Sequence, residues 1–182
     1  MTSLVLHLNG APGVGKSTLA RLWAERHPGT LLLDIDELRT WVSGWRADFV
    51  ATGAAVRPVA LAMLAAYVER GGPVVLPQLL ADPAQLEVFR SAAVDAGGNW
   101  IEVLLEADDV AARFAGRPVD QPYLEAVHGL VSAAPPDHLQ RYTEQLTAMA
   151  DADPGVVRLH TTDGQVEAAY DALVALVEQA RG

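Results

Sequence analysis

The chain has 182 residues, 51% of them hydrophobic, and a formal net charge of −10. That size suits one compact domain with one substantial core, and the acidity opposes the phosphate-neutralising surface that a nucleic-acid binder needs. With no cysteine the chain has no disulfide, thiolate metal site or cysteine nucleophile, and its five histidines show no metal-ligand spacing.

Along the chain, apolar runs of strand length recur at residues 4–8, 30–33, 73–77, 100–105 and 156–160, separated by segments with helical periodicity. This alternation predicts an α/β protein with a parallel sheet. The runs are nearly continuous in Val, Leu and Ile, which predicts strands covered by helices on both faces, a three-layer sandwich. Asp82, Pro83 and Gln85 read as a helix start, with Asp82 as cap and Gln85 bonding back, and Gly97-Gly98 ends that helix. Residues 135–150 place Leu139, Tyr142, Leu146 and Met149 on one face, and the last helix does the same with Val166, Tyr170, Leu173 and Val177. Nothing marks an interdomain linker, so residues 1–182 form a single domain in this reading. Gly, Pro and charges interrupt every apolar run short of transmembrane length, and the N-terminus lacks a signal-peptide pattern. The expectation is a cytoplasmic protein with neither membrane nor nucleic acid as partner.

Between the first run and the helix carrying Leu19, Leu22, Trp23 and Arg26 stands Gly10-Ala11-Pro12-Gly13-Val14-Gly15-Lys16-Ser17, a match to the phosphate-binding pattern G-x-x-x-x-G-K-[ST]. Its glycines let backbone N–H groups turn inward, and the following helix adds unpaired donors and a positive dipole end. The pattern puts Lys16 on the β- and γ-phosphates, Ser17 on Mg²⁺ and Thr18 on the α-phosphate. Lys16 is also the one lysine of the chain.

The second run ends in Leu33-Asp34-Ile35-Asp36-Glu37-Leu38-Arg39. Ligands of open parallel sheets bind beyond the carboxyl ends of strands, so Asp34 and Asp36 fall on the same edge as the glycine loop. A carboxylate there accepts the proton of an attacking hydroxyl or holds Mg²⁺, directly or through water. The alternative for Asp36 is a plain helix cap. Arg39 suits an anionic or polyhydroxyl substrate, or a surface salt bridge. Trp41, Trp45, Arg46 and Phe49 follow, either as the wall of an apolar substrate pocket or as core. The third run ends at Gln78 without the acid that completes the Mg²⁺ site of many P-loop enzymes. Gln78 then bonds a substrate hydroxyl or a metal-bound water, with Asp34 supplying the charge, or the protein binds nucleotide without transfer.

With its GAPGVGKST loop, its Asp-x-Asp-x-Leu-Arg stretch and its Arg-containing segment after the fourth strand, the chain resembles small P-loop kinases. The nearest groups are the shikimate and gluconate kinases, chloramphenicol phosphotransferase and the tunicamycin-resistance ATP-binding proteins, with adenylate-kinase-like enzymes further off. The resemblance implies a parallel sheet in order 2-3-1-4-5, ATP and Mg²⁺ as cofactors, and a base, substrate or metal role for Asp34 and Asp36. It also implies a lid at about residues 113–135, with Arg113 stacking on adenine and Arg117 neutralising the transferring phosphate; the four-residue spacing of the two also fits plain solvated charge on one helical face. The turn at His160 to Gly164 would meet the adenine through backbone groups, or Thr162 or Asp163 would cap the last helix. ATP rather than GTP follows from the resemblance alone. The expected activity is transfer of the γ-phosphoryl group of ATP to a hydroxyl of a small molecule. A non-transferring nucleotide-binding protein and an ATPase switch using Gln78 are the alternatives.

Overall fold

The computed structural model describes residues 2–181 and contains a five-stranded, all-parallel sheet in the order β2-β3-β1-β4-β5. In chain order the elements are β1 (Ser3–Asn9), α1 (Lys16–Arg26), β2 (Leu31–Leu32), α2 (Ile35–Arg39), α3 (Phe49–Glu69), β3 (Val74–Leu76), α4 (Pro83–Asp95), β4 (Gly98–Glu106), α5 (Val110–Ala115), α6 (Pro122–Ala133), α7 (His138–Ala152), β5 (Val157–His160) and α8 (Val166–Arg181). Each predicted strand is present, and the sheet order is the one the resemblance implies.

The central strand explains the layering. All of β1 is buried, so its alternate residues feed two separate cores. Leu4, Leu6 and Leu8 face α1 through Leu19, Ala20 and Trp23, and α8 through Tyr170, Leu173 and Val177. Val5 faces the opposite way, with Val74 and Leu76 of β3, onto Val56, Ala60 and Leu64 of α3 and Leu86, Phe89 and Ala93 of α4. Asp82 caps α4 by accepting from Ala84 N at 2.9 Å, while no return bond from Gln85 occurs among the described residues. Gly97 provides the left-handed turn after α4, whereas Gly98 already opens β4.

One expectation needs correction. With 21 residues and a mean hydropathy of 1.7 over its most apolar window, α3 is long and apolar enough to cross a membrane. Pro58 and Arg57 interrupt the sequence but not the helix. In this fold Val56, Ala60, Leu64 and Val68 lie against the sheet, which accounts for one apolar face of α3.

The second core is crossed by a polar seam. Asn9 Nδ2 donates to Leu80 O and to Glu102 Oε1, Leu80 N donates to Asn9 Oδ1, and Arg90 bridges Glu102 and Asp153 at 3.2 and 3.0 Å. His7 is fully buried, with Nε2 2.9 Å from Gln78 O and Nδ1 3.8 Å from Glu102 Oε1. The seam ties β1 to the segment after β3, where the strand ladder has already stopped at Leu76. Burial pushes the Glu102 carboxyl up, but neighbouring His7 and the donors Asn9 and Arg90 pull it further down, to about 2. A depressed carboxyl stabilises the fold above its ordinary value of 4.5 and loses that contribution as pH falls through about 2. Urea unfolding of Glu102→Gln and the parent chain is therefore expected to differ by on the order of 3 kcal/mol at pH 6, shrinking toward zero near pH 2. A difference that does not change with pH would contradict the assignment.

Candidate active site

Three strand ends and the segment after β4 converge beyond the carboxyl edge of the sheet. The glycine loop starts where Asn9 Oδ1 accepts from Gly10 N at 2.9 Å, and it closes with Gly15 as the left-handed N-cap of α1. Gly13 has φ of 98°, and a Cβ there would stand 3.0 Å from Val110 O and 3.1 Å from Phe114 Cβ. Only glycine suits that position, on grounds of both backbone and space. Pro12 is partly buried, and Val14 is buried with its carbonyl accepting from Thr161 Oγ1 at 2.9 Å.

Lys16 Nζ lies folded across the loop, donating to Gly10 O at 2.7 Å and Ala11 O at 3.0 Å. Burial and nearby Arg117 lower its pKa to about 8, against the opposing pull of Asp36 and Asp34. Asp36, Arg117 and Asp34 thus each act on the charge of Lys16. Ser17 and Thr18 make no side-chain hydrogen bond among the described residues, and both line an open cavity of about 640 Å³. Its other walls include Lys16, the acidic pair Asp108 and Asp109, Arg113, Arg117 and residues 161–165. The volume falls within the range of cofactor sites, which is roughly 300–1,000 Å³.

Arg113 Nη1 donates to both O and Oγ1 of Thr161 at 3.0 Å. The turn after β5 is thus held by Thr161, buried between Val14 O, Glu106 O and Arg113, and neither Thr162 nor Asp163 forms a side-chain cap on α8 among the described bonds. Arg117 follows Gly116 and has no side-chain hydrogen bond or ion pair among the described residues, so its charge stays open to the cavity it lines.

Asp34, Asp36, Arg39 and Gln78 do not line that cavity. Asp34 precedes α2, Asp36 and Arg39 lie within it, and Gln78 follows β3. The capping role falls on Asp34, not on Asp36: Asp34 Oδ1 accepts from Asp36 N at 3.0 Å and Glu37 N at 3.4 Å, and Oδ2 accepts from Tyr123 Oη at 3.2 Å. Among the described residues no backbone group bonds the Asp36 carboxylate. It stands 3.3 Å from Arg39 Nε, and burial raises its pKa against the opposing pull of Arg39. Arg39 donates to Phe49 O at 3.2 Å and lies 4.1 Å over the Phe49 ring, in a niche left open by Gly53. Gln78 is buried, and its carbonyl is engaged by His7.

The tryptophan cluster divides. Trp45 and Phe49 are core, packed with Tyr123 and Leu124, whereas Trp41 is 69% exposed. Tyr123 and Thr161 are the residues at this edge that sequence reading missed. Thr161 lay inside a singled-out turn, but nothing local to Pro122-Tyr123 signals a partner 89 positions away.

Among the described residues no three His, Asp or Glu side chains form a metal cage. A small hard cation bound through one protein oxygen, with phosphate oxygens and waters completing its shell, does fit the unbonded Ser17 hydroxyl in the cavity, while both oxygens of Asp34 already accept hydrogen bonds.

A polyphosphate placed in the loop restores the full charge of Lys16. At pH 8, calorimetry in buffers of different ionisation enthalpy is expected to record uptake of about half a proton per ATP bound, falling toward zero near pH 6.5. Lys16→Ala should abolish the uptake, and binding without it in the parent chain would contradict the lowered pKa.

Comparison with known proteins matches residues 5–122 to the AAA domain family model. No curated protein matches the sequence. Among solved structures the fold is similar to a gluconokinase from Sinorhizobium meliloti 1021, at 19% identity and TM-score 0.63, over 99% of this chain and 94% of that one. It is similar to the Deinococcus radiodurans tunicamycin resistance protein, at 19% identity and TM-score 0.59, over 96% and 95% of the two chains. It is also similar to the Mycobacterium tuberculosis APS kinase in complex with AMPPNP and APS, at 19% identity and TM-score 0.56, over 97% and 98%. The chain belongs to the AAA domain family, and its fold is that of the P-loop small-molecule kinases.

Proposed function

We propose that this protein is an ATP-dependent phosphotransferase that moves the γ-phosphoryl group to a hydroxyl of a small molecule. The observation that carries this reading is the open cavity beside the glycine loop, lined by Lys16 and Arg117, with the Asp36 carboxylate near enough to act on the charge of Lys16. Two cations and one raised carboxylate in such an arrangement are what phosphoryl transfer requires, since its catalysis is mainly positioning and charge neutralisation.

In this mechanism Gly10, Pro12, Gly13, Val14 and Gly15 shape the amide nest, and Lys16 and Thr18 hold the phosphates. Arg113 and the Thr161 turn flank the base. Asp36 accepts the acceptor's hydroxyl proton as the new O–P bond forms and the bond between the γ-phosphorus and the bridging oxygen breaks, releasing ADP. Its raised pKa strengthens it as a base relative to a free carboxylate. Arg117 balances the charge on the transferring group. Arg39 holds the far side of the acceptor, and Gln78 completes the edge where other P-loop enzymes carry an acid. Mg²⁺ held by Ser17, with Asp34 reached through water, would offset negative charge on the phosphates. The protein is read as acting in solution, without membrane or nucleic-acid partners.

A second reading, nucleotide binding without transfer, is favoured by the absence of an acid at the end of β3, where Gln78 stands. ADP release from Mg-ATP across a panel of sugar acids, nucleosides, cyclic polyols and antibiotics separates the two readings. Acceptor-dependent release that vanishes in Lys16→Ala supports transfer, and ATP binding with no release above background on any acceptor supports the second reading. With a working acceptor, Asp36→Asn is expected to lower kcat by about 10²–10⁴-fold with ATP affinity retained. Full activity in Asp36→Asn would remove the base assignment.

A further inference from the structure

The hydroxyl of Tyr123 joins three parts of the site that are distant in sequence. Arg21 of α1, the helix that follows the phosphate loop, donates to it at 3.2 Å, and it donates in turn to Asp34 Oδ2 at 3.2 Å. Tyr123 lies in the first turn of α6 and is 2% exposed.

α6 is anchored at two points: the His128 ring stacks on Phe114 of α5 with centroids 4.4 Å apart, and the first turn is buried. Its buried residues are Tyr123 and Leu124, packed with Trp45 and Phe49 of the acceptor-side segment. The preceding helix α5 has Phe114 as its buried residue, set against Gly13 of the phosphate loop. Between these anchors run residues 116–121, which carry Arg117 between Gly116 and Pro118. Arg117 is therefore suspended between the phosphate loop at one end and the Tyr123 cluster at the other.

Asp34 extends the connection. The carboxylate that accepts from Tyr123 also caps α2, the helix that presents Asp36. One hydroxyl thus reaches the proposed base through the cap and the proposed phosphate-neutralising cation through α6.

We propose that Tyr123 is a positioning residue: its hydroxyl clasps Asp34 and Arg21 and so fixes the place of Arg117 relative to Asp36. The functional half of this inference rests on the phosphotransferase reading, while the clasp itself does not. It anchors the C-terminal end of residues 116–121, the part of the 113–135 stretch expected as a lid that carries Arg117.

The test uses the full chain with Tyr123→Phe, which keeps the ring in the aromatic cluster. Hydrogen exchange is measured without nucleotide or acceptor. Amides of residues 116–125 are expected to exchange about tenfold faster than in the parent, the loss expected of one hydrogen bond to a charged group, with β1 and the body of α1 unchanged. Exchange unchanged at 116–125 would overturn the clasp, whether or not an acceptor is ever found. Arg21→Gln, which leaves Tyr123 intact, is expected to shift the same amides in the same direction by less. With an acceptor in hand, Tyr123→Phe should lower kcat about tenfold with KM for ATP unchanged. Faster exchange with kcat unchanged would overturn the positioning role, as would a kcat loss without any change in exchange.

Discussion

A phosphate loop must hold its amides inward without side chains in the way, and here that requirement organises everything around it. Gly13 sits in left-handed backbone against Val110 O and Phe114, so the loop is shaped by the segment after β4 as well as by its own glycines. The loop can exist only where β1 and α1 are already held in register, and both are held by the same leucine-rich core. Fold and site are for this reason one problem.

The two faces of β1 divide the work. The face made by Leu4, Leu6 and Leu8 is wholly apolar and supplies burial. The other carries His7 and Asn9 into a buried polar seam with Glu102 and Arg90. That seam replaces strand pairing beyond Leu76 and so sets where Gln78 stands. Lys16 and Arg117 line the open cavity, Asp36 pairs with Arg39, and Arg39 in turn packs on Phe49 of the aromatic cluster that holds α6. Asp34, although the first carboxylate after β2, is committed to holding α2 and Tyr123.

Features whose chemistry is local were legible in the sequence. The phosphate loop is a short run of glycines with one lysine, and the buried strands are short runs of branched aliphatics bounded by turns. What depends on three-dimensional meeting was not. Asp34 and Asp36 are both plausible caps by composition, and only the backbone path of Leu33 to Ile35 gives that task to Asp34. Trp41 and Trp45 are alike in sequence, yet Trp45 is buried because Phe49 and Leu124 close over it while Trp41 faces solvent. The hydrophobicity of α3 was broken by Arg57 and Pro58 on paper, but a helix tolerates both where one face still packs. Tyr123 could not have been found, since its partners Arg21 and Asp34 lie 102 and 89 residues away.

The central claim is that the cavity beside the glycine loop holds a nucleoside triphosphate with its terminal phosphate turned toward Asp36. A crystal structure with a non-hydrolysable ATP analogue and Mg²⁺ tests this most directly. The account predicts the triphosphate in the amide nest, Lys16 Nζ released from Gly10 O onto the β- and γ-phosphates, the base between Arg113 and the Thr161 turn, and the γ-phosphate on the Asp36 side. An analogue bound elsewhere, or in the loop with its γ-phosphate turned away from Asp36, would contradict it.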